Sequence, residues 1–137
     1  AGVEGIIVPD LPQHESHDFR NACYDNDISL INLVTPNTSK ERLENICAEA
    51  EGLVYCVSRT GVSGQNTLFS KSFDSYIDRV RSISKLPLGV GFGVKTKKDV
   101  DHLKGKVQIA IICSEAVKIA TEQNIENSVE YLKSLRQ

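Results

Sequence analysis

The chain has no Met and no Trp, and only four Pro, four Tyr and four Phe among its 137 residues. So few prolines, with no low-complexity run, leave no interdomain linker, and one folding unit over residues 1–137 is expected. Long hydrophobic runs are also missing. The longest apolar stretches, such as Ile109 to Cys113, cover a few residues, far below the roughly 20 that span a bilayer. No charged segment followed by an apolar one opens the chain as a secretory signal would. Neither sign of charge dominates: 16 basic side chains meet 18 acidic ones, interspersed, for a formal net charge of -2. A broad electrostatic footprint for nucleic acid is thereby excluded. With no Met anywhere and Ala1 at the start, the chain is expected to be the later part of a longer reading frame.

The four cysteines, Cys23, Cys47, Cys56 and Cys113, show no C-x-x-C spacing and fall inside apolar strand or helix patterns. They read as buried free thiols in a reducing cytoplasm, with no metal site. His14, His17 and His102 share no strand end with a cysteine or carboxylate and read as solvated surface. Neither G-x-G-x-x-G nor a Walker A sequence follows a strand, which argues against dinucleotides and nucleoside triphosphates.

What is present is a regular alternation. Apolar, β-branched runs at Gly5–Pro9, Ile28–Leu33, Leu53–Val57, Leu88–Phe92 and Val107–Cys113 predict five strands. Between them, apolar residues recur at helical spacing. A helix over His14–Tyr24 carries Phe19, Ala22 and Cys23 toward a core. Thr38 with Glu41 forms a capping box ahead of Leu43, Ile46, Cys47 and Ala50. Phe69, Phe73, Tyr76, Ile77, Val80 and Ile83 define an amphipathic helix ended by Pro87. Thr96 with Asp99 starts a short one, Ser114 caps Glu115–Glu122, and Asn127 with Glu130 opens a last helix carrying Val129, Leu132 and Leu135.

Continuous apolar strands alternating with amphipathic helices imply an α/β fold with a parallel, helix-covered sheet. Two architectures fit: a free-standing doubly wound five-stranded sheet, or five units of an eight-stranded (β/α) barrel. The missing initiator Met favours the second, since three more units upstream complete the usual length of such a barrel.

In both architectures ligands sit at the C-terminal strand ends. Those positions read Pro9-Asp10, Thr35-Pro36-Asn37, Ser58 to Gly64, Gly91-Phe92-Gly93 and Cys113-Ser114. Glycines there let backbone N–H groups approach an anion, and a helix starting at Ser114 offers further unpaired N–H groups. Taken together on the last three strands, they read as a phosphate cradle rather than as turns alone. Asp10 stands between two prolines and reads equally as a general acid or base or as a turn residue. The loop around Ser63 has the composition of a lid.

The segments GVEGIIVPDLP, LVTPNT, LVYCVSRTGVSG and LPLGVGFGVKT, in this order and spacing, resemble the α subunit of tryptophan synthase from its fourth barrel strand onward. The resemblance runs over nearly the whole chain. It implies the C-terminal part of a (β/α)8 barrel, five β/α units long, from a cytoplasmic lyase of tryptophan biosynthesis. The implied reaction is the retro-aldol cleavage of indole-3-glycerol phosphate to indole and glyceraldehyde 3-phosphate, with no cofactor of its own. By resemblance, Gly64, Phe92, Gly93, Cys113 and Ser114 match the phosphate site, Ile7, Leu33 and Tyr55 the wall of the indole pocket, and Arg59, Gly61 and Ser63 the closing loop. The family's catalytic Glu and Asp fall before Ala1, so no catalytic residue is assigned in this chain. Two positions depart from the family pattern. Ser63 stands where Thr is more usual, and Cys113 stands where Gly usually precedes the phosphate-site serine. The implied partner is the pyridoxal-phosphate-dependent β subunit in an α2β2 heterotetramer, with the loops around Pro12 and Asn37 near the contact.

Overall fold

A computed structural model describes residues 2–12, 15–58 and 70–136. Five strands alternate with helices: β1 (Gly5–Ile7), α1 (His17–Tyr24), β2 (Ser29–Val34), α2 (Lys40–Glu49), β3 (Val54–Val57), α3 (Lys71–Ile83), β4 (Leu88–Gly91), α4 (Lys97–Leu103), β5 (Ile109–Ala110), α5 (Ser114–Glu122) and α6 (Ile125–Ser134). Every neighbouring pair of strands is parallel, and the spatial order β1-β2-β3-β4-β5 is the sequence order.

That order decides between the two architectures. Parallel crossovers are right-handed, so strands laid down in one direction return every helix to the same face. A doubly wound sheet needs a reversal in strand order, and none occurs. The core agrees. Val34, Val54, Cys56, Leu88 and Val90 alternate along their strands, all on one face, and are buried with Leu43, Ile46, Phe73, Tyr76, Ile77, Val80 and Leu103 from α2, α3 and α4. With α2, α3 and α4 packed on that face, the twisted sheet is half of a barrel.

Local side chains set most helix starts, though not always the expected ones. The Thr96–Asp99 capping box is present in both directions. Ahead of α2, however, the cap is Ser39, whose Oγ accepts the Arg42 N–H at 3.3 Å. Thr38 is engaged one turn earlier, its Oγ1 accepting the Thr35 N–H at 3.0 Å. Ser114 is the first residue of α5 rather than its cap; Cys113 holds the cap position without a side-chain bond. The last helix opens at Asn124, which accepts the Asn127 N–H at 2.7 Å, so Asn127 lies inside the first turn. At α1 the Glu15 N–H turns back to the Pro12 carbonyl at 3.0 Å, delaying the helix to His17.

The outermost elements bury less than their patterns suggested. Only Ile109 and Ala110 of the fifth apolar run form strand, because among the described residues it has a partner on one side alone. Phe19, Ala22, Val129 and Leu132 are exposed, while Cys23 and Leu135 are buried. Next to so short a strand, α5 and α6 pack largely on each other, and Ser128 Oγ donates to the Ala116 carbonyl at 2.8 Å. No helix among the described residues is long and apolar enough to cross a membrane.

Candidate functional site

Strand register sorts the site residues by face. Ile7 is level with Ile31, Leu33 with Tyr55, and Tyr55 with Gly89. Ile31 and Leu33 are two residues apart on β2, so Ile7, Leu33 and Tyr55 all project from the concave face, opposite the helices. The structure thus brings together the three residues matched to an apolar pocket wall. Tyr55 is buried, Leu33 half-buried and Ile7, on an edge strand, exposed. Burial, reinforced by the nearby Cys113 thiol, pushes the Tyr55 hydroxyl above its ordinary range.

Tyr55 lies over the end of β4. A Cβ on Gly91 would fall 1.8 Å from the Tyr55 hydroxyl oxygen, so glycine at this position is what admits the ring. The same ring meets Phe92 edge-on, with centroids 5.7 Å apart and planes at 74°. Phe92 in turn has φ +62° and Gly93 φ +122°. A bulky residue in the left-handed region costs roughly 1–2 kcal/mol and persists only where neighbours hold it. The Phe92–Gly93 turn is therefore a shaped backbone segment at the C-terminal end of its strand.

Cys113 and Ser114 follow β5, both exposed. The Cys113 φ of -126° is open to any residue. Cysteine in place of glycine therefore needs no left-handed φ here, although its Cβ occupies space. The Cys113 side chain makes no capping hydrogen bond to the first turn of α5. Cys113 corrects the reading of four buried thiols: Cys23 and Cys56 are buried, Cys47 is half-buried and Cys113 is exposed. Gly64, Arg59, Gly61 and Ser63 lie outside the described residues, as does His14.

Two further strand ends open on a cleft of about 770 Å³ whose lining includes Asp10, Pro12, Leu33, Thr35 and Asn37. Asp10 is exposed in a turn closed by the Leu11 N–H to the Val8 carbonyl at 3.3 Å, a turn role. His102 is not surface-solvated as expected. On the helical face its Nε2 lies 3.1 Å from Asp74 Oδ1 and 2.9 Å from Lys106 Nζ. Among the described residues no three His, Cys, Asp or Glu side chains are grouped to hold a metal.

Sequence reading placed Ser58 at a strand end but gave it no role. Ser58, the first polar residue after the β3 apolar run, is completely buried. Its hydroxyl donates to the Phe92 carbonyl, and its N–H donates to the Gly91 carbonyl at 3.1 Å. The only signal was a serine at a strand end; its partner lies 34 positions away.

Fold and strand order together define the class: a singly wound β/α half-barrel of five parallel strands. The chain belongs to the tryptophan synthase alpha chain family, whose model matches residues 1–137. It is 40% identical over 133 residues to the tryptophan synthase alpha chain of Desulforapulum autotrophicum, covering 97% of this chain and 53% of that one. Among solved structures, the tryptophan synthase subunit alpha from Campylobacter jejuni superposes with a TM-score of 0.85 at 28% identity, covering 98% of this chain and 54% of that one. The tryptophan synthase a2b2 complex from Pyrococcus furiosus contains a chain matched with a TM-score of 0.81 at 32% identity, over 98% of this chain and 54% of that one. The chain spans about half the length of the relatives it matches.

Proposed function

We propose that this chain forms the substrate-binding half of a tryptophan synthase alpha subunit, a lyase that cleaves indole-3-glycerol phosphate into indole and glyceraldehyde 3-phosphate. The observation that carries the reading is the register placing Ile7, Leu33 and Tyr55 on one concave face that ends at the Phe92–Gly93 turn. An apolar wall suits a flat indole ring, and backbone amides suit a phosphate. In this reading the amides of Phe92, Gly93 and Ser114, with Gly64, hold the phosphate, while Cys113 precedes the α5 amides. Arg59, Gly61 and Ser63 form the loop that closes over the site.

The reaction breaks a carbon–carbon bond. A proton leaves the glycerol hydroxyl as it becomes the aldehyde, and a proton reaches the indole carbon that is released. The family assigns these transfers to a Glu on the second barrel strand and an Asp in the loop after it, positions to which no residue of this chain corresponds. The cleavage uses no cofactor of its own. Pyridoxal phosphate belongs to the β subunit, with which an α2β2 assembly forms in this reading, the loops around Pro12 and Asn37 near the contact.

Incubating the intact protein with indole-3-glycerol phosphate and a β subunit tests the assignment. Release of indole and glyceraldehyde 3-phosphate in equal amounts is expected. No indole, with or without the β subunit, would overturn it.

A further inference from the structure

Ser58 makes two hydrogen bonds to the turn after β4, one on each side of the same residue. Its N–H donates to the Gly91 carbonyl at 3.1 Å, in the peptide before Phe92; its hydroxyl donates to the Phe92 carbonyl, in the peptide after it. Holding both peptides fixes the rotation about Phe92 and keeps its φ at the left-handed value of +62°. Peptide groups are planar and trans, so each N–H points opposite its own carbonyl. The Phe92 and Gly93 N–H groups therefore both face away from Ser58. Complete burial of the serine leaves its hydroxyl no competing water, and the Tyr55 ring braces Phe92 from the concave side.

We propose that Ser58 is a positioning residue for anion binding: its hydroxyl pins Phe92 in the left-handed conformation and so aims the Phe92 and Gly93 amides at the ligand's phosphate. This rests on the phosphate reading of that turn and adds to it the residue that shapes it.

Glycerol 3-phosphate and glycerol are the probes, titrated by calorimetry into the intact protein. Wild type is expected to bind the phosphate ester in clear preference to glycerol. No preference overturns the phosphate reading, and the proposal falls with it. Where that preference holds, Ser58→Ala should weaken glycerol 3-phosphate binding about tenfold, and Ser58→Thr, which keeps the hydroxyl, should restore most of it. Phe92→Gly reaches the left-handed region without a side-chain penalty, so on that background Ser58→Ala should cost less than about twofold. An equal loss on both backgrounds is what simple packing of a buried serine produces, and it overturns the proposal. Ser58→Ala binding like wild type overturns it as well. If Ser58→Ala does not fold, Ser58→Cys, nearly isosteric with a weaker donor, replaces it with the same pair of outcomes.

Discussion

Cys56 and Cys113 belong to the same half-barrel, yet their surroundings give them opposite chemistry. Burial pushes the Cys56 thiol up to about 12, so at pH 8 only about one molecule in ten thousand carries the reactive thiolate. Cys113 is exposed at the start of α5. A maleimide at pH 8 is expected to label Cys113 first, and Cys113→Ser should remove that fast phase; rapid native labelling of Cys56 would contradict the burial argument. The raised thiol also has a stability consequence. Its folded value lies above its unfolded one, so its contribution is complete below the unfolded value of about 8.5 and is lost as pH rises toward 12. Gly91 shows a different residue-scale constraint. Gly91→Ala drives a methyl into the Tyr55 hydroxyl, and a loss of about 1–3 kcal/mol is expected in urea unfolding of the intact protein. Tyr55→Leu added to Gly91→Ala should recover part of that loss. The burial of Cys56 was legible in its apolar strand pattern; the constraint at Gly91 was not, because the glycines of GVGFG look alike until the chain folds and a tyrosine from another strand lies over one of them.

At the scale of elements, α3 and α4 are joined by Asp74, His102 and Lys106. The Lys106 ammonium, 2.7 Å from Asp74 Oδ1, with His102 beside it, holds the Asp74 carboxyl below the usual range. A depressed carboxylate stabilises the fold above its unfolded value of about 3.9, and that contribution fades as pH falls through the folded value. Lys106→Met should return the Asp74 titration toward the ordinary range, as carboxyl NMR would read. The stability lost near neutral pH should be a few tenths of a kcal/mol, because these side chains reach solvent, and the difference from wild type should vanish in acid. An unchanged Asp74 titration would show that the lysine is not its partner. Helix starts were legible when one side chain could decide them. Thr96 and Asp99 satisfy each other within four residues. Adjacent hydroxyls at Thr38 and Ser39 compete, and the turn from Thr35 settles which one caps α2. His102 read as surface because its partners come from α3 and from beyond the end of its own helix.

For the molecule as a whole, both ends of the sheet carry apolar surface. Val3, Ile6 and Ile7 at the β1 end and Ile109, Val117, Val129 and Leu132 at the β5 end are exposed. Open strand edges of this kind invite pairing. A polypeptide of residues 1–137 alone is expected to self-associate, bind a hydrophobic dye and melt without a cooperative transition, and to cleave no indole-3-glycerol phosphate. A sharp melt of a monomer, followed by calorimetry and ultracentrifugation, would show that the half-barrel closes its own core. By itself the sequence determined the alternation of five strands and their helices and the glycine-rich strand ends, since hydrophobic period and turn chemistry act over a few residues. It also carried the ordered motifs of the family. Only the tertiary structure decided that α2, α3 and α4 share one face, that Ile7, Leu33 and Tyr55 share the other, that Cys113 is exposed, and that Ser58 holds Phe92. Those facts depend on strand register and on contacts between residues tens of positions apart, where no local preference reaches.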